Sequence, residues 1–300
     1  MRNDTDLLGG RYEIRDVLGY GGMAEVRDGW DTRLDRPVAI KLLSPGFCTQ
    51  PDMLDRFRTE ARTAASLNHP NVVAVYDSGE HAGTPYMVME RLPGATLADE
   101  IARGPLSLTR LRAVLDNILD AVAAAHAAGI LHRDIKPGNI LLGTSAGAMK
   151  VADFGISKTV DTAPTRTGEV LGTMAYLSPQ RVSGAPASPA DDLYAVGVVA
   201  YEALTGWPPF RGDNPGALAR SILDDVPPPV TAVRPDVDPI TAGVISRAMA
   251  RNPEQRYAYA AEMLAAVRGV RPPTKVLQTP IPAAQASAVY VPPPRRHWSR

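Results

Sequence analysis

Between residues 130 and 155 the chain sets charged groups among apolar ones. His132-Arg133-Asp134-Ile135-Lys136-Pro137-Gly138-Asn139 lies between Ile130-Leu131 and Ile140-Leu141-Leu142. Polar groups so flanked are costly to bury unless paired, and a plain loop does not need them. A carboxylate such as Asp134 accepts a proton or orients a hydroxyl. The Lys136 ammonium can neutralise a transferring phosphoryl group, and the Asn139 amide can offer an oxygen to a metal. Nineteen residues after Asp134, Asp153-Phe154-Gly155 follows the apolar pair Val151-Ala152. A carboxylate there is a hard oxygen ligand suited to Mg²⁺.

Three further features precede this segment. Leu18-Gly19-Tyr20-Gly21-Gly22-Met23-Ala24-Glu25-Val26 sits between two strand-like runs. Its glycines would let backbone N–H groups approach phosphate oxygens, although a simple hairpin has the same composition. No helix follows it and it has no Gly-Lys-Ser/Thr, so neither a dinucleotide fingerprint nor a Walker A loop fits. Val38-Ala39-Ile40-Lys41 is an apolar strand ending in lysine, able to aim an ammonium at phosphates or to leave it at an exposed strand edge. Glu60, on an apolar-patterned helix, is its natural counter-charge or a solvated helix-face residue.

The elements that must position these groups follow from periodicity. Residues 12–18, 25–30 and 37–43 read as strands, with a turn over 31–36. Pro51 opens a helix carried by Met53, Leu54, Phe57, Ala61, Ala64, Ala65 and Leu67, which Asn68-His69-Pro70 stops. Residues 72–76 and 86–90 read as two more strands. Beyond Pro93-Gly94 a long amphipathic helix runs from Leu108 through Val122, with Gly129 as its C-terminal cap. A Thr-, Gly- and Pro-rich loop is expected from Asp161 to about Ser188. Helical patterns resume at 191–204, 217–223, 240–250 and 260–268. The plan is α+β: a small, mostly antiparallel sheet with one helix, a connector near Glu90–Gly94, and a larger helical lobe. Clefts between lobes are favoured ligand sites.

Composition excludes several classes. The 300 residues are 45% hydrophobic and 21% charged, with 32 basic and 32 acidic side chains, so no net field points to nucleic acid or membrane. The single cysteine, Cys48, excludes an intramolecular disulfide framework and a cysteine-rich metal site. The longest apolar run, Leu193 to Ala200, is too short to span a bilayer, and the charged start has no apolar signal region. Residues 269–300 form a basic tail: from 271 onward it has five basic residues, no acid and seven prolines. It is expected to be disordered or extended. Only five of the 32 basic residues are lysines, and two of them are Lys41 and Lys136.

The ordered set of glycine loop, VAIK, helix Glu, HRDIKPGN and DFG resembles a protein kinase. The loop sequence Gly21-Gly22-Met23-Ala24-Glu25-Val26 is similar to bacterial eukaryotic-like (Hanks-type) serine/threonine kinases, as are Leu67-Asn68-His69-Pro70-Asn71-Val72-Val73 and Tyr176-Leu177-Ser178-Pro179. The resemblance implies a bilobal kinase domain over 12–268, with lobes at 12–91 and 92–268. It implies transfer of the γ-phosphate of ATP to protein Ser/Thr hydroxyls, with Mg²⁺, or Mn²⁺ in its place, as cofactor. By resemblance Leu18, Gly19, Tyr20, Gly21, Gly22, Met23, Ala24, Glu25 and Val26 cover the ATP phosphates, and Lys41 holds them while paired with Glu60. Val26, Ala39, Met89, Leu92 and Leu141 sandwich adenine, whose edge meets the backbone of Glu90 and Leu92. Asp134 takes the substrate proton, Lys136 steadies the phosphoryl group, and Asn139 and Asp153 hold the metal. Thr165 and Thr167 are the expected activation-loop phosphosites, with Arg133 as receiver, and Thr173 flanks the substrate hydroxyl. Asp192, or its neighbour Asp191, ties down the catalytic loop.

The resemblance further implies protein substrates and self-association for trans-autophosphorylation; the charge balance and the short apolar runs lead to the expectation of no nucleic-acid partner, no transmembrane span and a cytoplasmic location. Two residues depart from the pattern. Ala24 replaces a third glycine. Gln180 stands where the family has a glutamate paired with an arginine, here Arg256; losing that bidentate pair costs about 1–3 kcal/mol and implies a softer activation segment. A nucleotide-binding pseudokinase scaffold is the alternative reading, and a small-molecule phosphotransferase a third.

Overall fold

Five strands form an antiparallel sheet in the order β1-β2-β3-β5-β4. They are β1 (Tyr12–Tyr20), β2 (Ala24–Asp31), β3 (Arg36–Leu43), β4 (Val75–His81) and β5 (Thr84–Glu90), with helix α1 (Pro51–Ala65) between β3 and β4. The computed structural model describes residues 7–143, 148–154 and 167–270, the side chains of 167–170 excepted. The central strand β3 is apolar along its length because both its faces are covered. Ala39 and Leu43 pack with Phe57, Ala61, Met87 and Met89 under α1. Val38, Ile40 and Leu42 pack on the other face with Leu8, Tyr12, Tyr86 and Val88. Strand alternation therefore puts Lys41 on the α1 face, beside Ala39 and Leu43. Along α1, Met53, Phe57, Glu60, Ala61 and Ala64 form one buried stripe, so the Glu60 carboxylate is carried into the apolar layer and needs a partner.

After β5 the chain becomes mainly helical. Helices α2 (Leu97–Ala102) and α3 (Leu108–Ala127) precede a two-stranded sheet of β6 (Ile140–Leu142) and β7 (Met149–Val151). There follow α4 (Thr167–Met174), α5 (Pro179–Val182), α6 (Pro189–Thr205), α7 (Pro215–Asp224), α8 (Val230–Val233), α9 (Pro239–Ala248) and α10 (Ala260–Val267). Helix α6 is buried on nearly every side, from Asp192 to Thr205, and packs against α3 and α9 in a single core with Leu115, Ile118, Leu119 and Ala248. The expected cap at the end of α3 is present: Gly129 adopts φ +74°, and Ile130 N–H returns to the Ala125 carbonyl at 2.9 Å.

Sheet and helices are stitched together beside the cleft. Val73 N–H donates to Val151 O at 3.0 Å and Val151 N–H to Asn71 O at 2.8 Å. This stitch corrects one expectation. Val72 and Val73 are not in β4, which starts at Val75, because their backbone is bonded to β7 instead. The loop expected over 161–188 also contains two short helices, α4 and α5. The second was signalled by Ser178, whose hydroxyl accepts the Arg181 N–H, and by Pro179 at the first helical position. Helix α2 was not anticipated; Thr96 and Asp99 cap it reciprocally.

Candidate active site

The Lys41 ammonium lies 2.6 Å from Glu60 Oε1 and 2.9 Å from Asp153 Oδ1. Burial works to lower its pKa, but the two carboxylates outweigh that and raise it. Lys41 is thus held charged between Glu60 of α1 and Asp153, which follows β7. Asp153 has φ +62°, a region L-residues rarely occupy. Its flanks fix it there. Ala152 N–H donates to Asn139 O and Ala152 O takes the His132 ring nitrogen, both at 2.9 Å. The buried Phe154 ring packs 4.6 Å from the His132 ring.

Asp134, Lys136, Asn139 and Thr173 form a second cluster, joined to the residue before Asp153 by the Ala152–Asn139 bond. Lys136 Nζ donates to Asp134 Oδ2 and to Thr173 Oγ1, each at 3.0 Å. Asn139 Nδ2 donates to the Asp134 carbonyl at 2.8 Å and to its Oδ2 at 3.2 Å. The amide nitrogen is therefore committed, and the Asn139 side-chain oxygen is the atom left for a cation. Among the described residues no cluster of three or more His, Cys, Asp or Glu forms a metal cage. Mg²⁺ keeps waters and phosphate oxygens and asks one or two carboxylates of the protein. The donor set of Asp153 and Asn139 fits such an ion.

Behind the 132–139 loop, Asp192 accepts the N–H groups of His132 and Arg133, both at 2.9 Å. Arg133 sits at φ +68°, and these bonds hold a conformation that would otherwise cost about 1–2 kcal/mol. Asp191 does other work: it completes the cap of α6 with Ser188 and accepts the Ser178 hydroxyl at 2.5 Å. His126, to which the sequence assigned nothing, lies with Nε2 2.8 Å from Asp192 Oδ2. No pattern marked it, since it ends an alanine-rich helix and its partner lies 66 residues away.

The apolar residues expected around a base also converge. Ala39, Met89, Val26, Leu92 and Leu141 belong to one cluster drawn from β2, β3, β5, the connector and β6. Glu90 N–H is bonded to Ala74 O at 2.8 Å, whereas Leu92 N–H donates no hydrogen bond among the described residues. The Glu90 carboxylate meets Lys150 at 2.8 Å. Gly94 is required here: a Cβ would lie 1.9 Å from Leu142 O. Leu18, Gly19 and Tyr20 end β1, Gly21, Gly22 and Met23 make the turn, and Ala24, Glu25 and Val26 begin β2. Ala24 is buried in the cluster that Met23 also packs against, so its methyl group is used.

Gln180 keeps its contact with Arg256 as a single bond, Nη2 to Oε1 at 2.6 Å. Asp191 supplies the missing charge, 3.6 Å from the buried guanidinium. Thr165, with Thr159 and Thr162, lies outside the described residues, as do Gly155 and the tail from 271. Thr167 opens α4.

The protein kinase domain model matches residues 12–266. The serine/threonine-protein kinase PknA of Mycobacterium tuberculosis (strain H37Rv) is 43% identical over 291 residues, covering 94% of this chain and 67% of that protein. PknL of the same strain is 42% identical over 289 residues, covering 96% and 72%. PknB of Mycolicibacterium smegmatis is 43% identical over 266 residues, covering 86% and 42%. The crystal structure of the M. tuberculosis PknI kinase domain superposes with a TM-score of 0.67 at 28% identity, covering 86% of this chain and 95% of that one.

Proposed function

The chain belongs to the protein kinase family and is a serine/threonine protein kinase, and from that premise we propose how its residues perform the transfer. Residues 12–268 are the catalytic domain, divided at 91/92, and ATP is the phosphoryl donor. Val26, Ala39, Met89, Leu92 and Leu141 clasp the adenine, whose edge meets the backbone of Glu90 and the Leu92 N–H. The turn from Leu18 through Val26 lies over the phosphates, and Lys41 neutralises the first two of them. Asp153 and Asn139 would hold Mg²⁺, which supplies charge neutralisation on the phosphate oxygens when bound. The substrate Ser or Thr oxygen attacks the γ-phosphorus and its proton goes to Asp134. The bond from that phosphorus to the β–γ bridging oxygen breaks, and ADP leaves with the electron pair. Lys136 leaves Asp134 to meet the charge on the moving phosphoryl group, while Thr173 orders the loop beside it.

The observation that carries this reading is the Lys41 ammonium bridging Glu60 at 2.6 Å and Asp153 at 2.9 Å. A lysine so fixed serves a polyphosphate better than it serves folding, because a buried ion triad is a weak source of stability. Phosphate transfer from labelled ATP to a generic basic protein is expected to fall at least about a hundred-fold in Asp134→Asn. Equal transfer by the two proteins would defeat the assignment. Autophosphorylation at Thr165 and Thr167, in trans between two copies, belongs to the same reading, and mass spectrometry of the purified chain checks it. Among the described residues no helix is long and apolar enough to cross a membrane; we place the domain in the cytoplasm, where ATP is supplied.

A further inference from the structure

A groove of about 470 Å³ opens in front of the catalytic loop, walled by Tyr20 of the phosphate turn, Ala98, Ile101 and Ala102 of α2, Lys136, and Glu202 of α6. It adjoins the proposed reaction centre directly, since Lys136 lines it while bonded to Asp134 and Thr173. A chain that presents a hydroxyl to Asp134 must lay its neighbouring residues here.

The charges bordering this groove are already committed. Asp99 of α2 accepts both the N–H and the hydroxyl of Thr96 at 2.8 Å. Glu100 is held by both arms of Arg110, each at 2.8 Å. Glu202 accepts the Tyr176 hydroxyl at 2.6 Å, and burial raises its pKa against the lowering effect of that bond. Besides Lys136, Thr173 and Tyr176 at its inner end, what faces the groove is apolar: exposed Ala98 and Ala102, the edge of Ile101, and the Tyr20 ring, 72% exposed opposite them. A single exposed aromatic is ordinary; this one stands with an apolar wall across a groove beside the proposed reaction centre.

We infer that this groove selects protein substrates carrying an apolar side chain, aromatic or long aliphatic, close to the phosphorylated residue, clasped between Tyr20 and the Ala98–Ala102 face of α2. The inference rests on the kinase reading above and adds the substrate class to it. The chain's own candidate acceptors agree in composition. The five residues before Thr165 contain no base, and Val170 and Leu171 follow Thr167 within four positions.

A positional-scanning peptide library around a fixed threonine, phosphorylated by the full chain with Mg-ATP, tests it. One flanking position is expected to favour Phe, Tyr, Leu or Met over Arg and Asp by about ten-fold in kcat/KM, the scale of one apolar group entering a pocket. Ala98→Asp places an unpaired carboxylate on the groove wall and is expected to turn that preference toward Arg. Ala102→Leu narrows the groove and is expected to erase the preference for aromatics while keeping that for smaller aliphatics. A flat profile, a basic or acidic preference in the unaltered chain, or an unchanged profile in both variants overturns the inference while leaving the kinase reading intact. Failure to label any peptide, with ATP binding retained, overturns both.

Discussion

The geometry around Asp134 depends on one carboxylate two steps removed from the chemistry. Asp192 closes two backbone bonds onto the residues just before Asp134, and His126 orients Asp192 in turn. Deleting the imidazole leaves a buried carboxylate short of one partner, a loss on the order of 1–3 kcal/mol. Part of that loss falls on the strained Arg133 backbone and so on the aim of Asp134. His126→Ala is therefore expected to lower kcat about ten-fold while KM for ATP stays within two-fold, because the proposed nucleotide contacts lie on other elements than Asp192. His126→Gln, which can still donate to Asp192, is expected to recover most of the loss. A fall in thermal stability with unchanged kcat would assign His126 to folding alone. Gln180 teaches a related lesson. Gln180 gives Arg256 one neutral bond, and Asp191, part of the α6 cap, sets a charge 3.6 Å from the same guanidinium. A motif names one partner of Arg256, and only packing reveals the second.

At the scale of elements, strands and helices with one apolar face were legible from spacing: β1, β2, β3, α1, α3, α6 and α9 lie within a few residues of where periodicity put them. Elements set by backbone bonding were not. Val72 and Val73 look like a strand, and form instead the stitch to β7. Helix α2 is only six residues long and is defined by its cap. The five core motifs were readable through their order, since the glycine loop, Lys41 and Glu60 each also fit an ordinary hairpin, strand edge or helix face, and only the charged run from His132 to Asn139 is costly to place idly. His126 and Lys150 were not, since each does its work through a partner 60 or more residues distant. Lys150 on β7 reaches the Glu90 carboxylate, which also takes the Ala74 N–H at 3.3 Å, so β7 and the start of the connector are braced together. Arg91 braces the next residue to Asp28 of β2 at 2.6 Å. Both struts fix the backbone that carries the Leu92 N–H, the proposed adenine contact. Lys150→Met is expected to raise KM for ATP about three- to five-fold, the worth of a half-exposed ion pair, with kcat within two-fold and recovery in Lys150→Arg. Steady-state kinetics at varied ATP with saturating peptide check this, and an unchanged KM would show the second strut sufficient.

For the molecule as a whole, the sheet has an apolar core on each face and the helical half has one around α6, the core under α1 also taking in Leu92, Leu141 and Ala152 of the helical half. The halves meet through the connector, through the Val73–Val151 stitch, and through the Lys41–Asp153 ion pair at 2.9 Å. A ligand that touches both halves should therefore stabilise the fold as a unit. Nucleotide phosphates would engage Lys41 from the sheet, and a cation would engage Asp153 and Asn139 from the helical half. Binding energy then adds to unfolding free energy, by about 2.7 kcal/mol at a hundred times Kd, which is roughly 5–10 °C for a domain of this size. A non-hydrolysable ATP analogue with Mg²⁺ is expected to raise Tm by that amount in a thermal-shift measurement, and EDTA to remove most of the rise. Asp153→Asn should abolish the part that EDTA removes and keep the remainder, whereas Lys41→Met should lower both. Were the rise equal with and without Mg²⁺, Asp153 would be acting on Lys41 alone and the metal would have no holder in this cleft. Were there no rise at all, the two halves would not share a ligand, and the convergence of Lys41, Asp134 and Asp153 would need another cause.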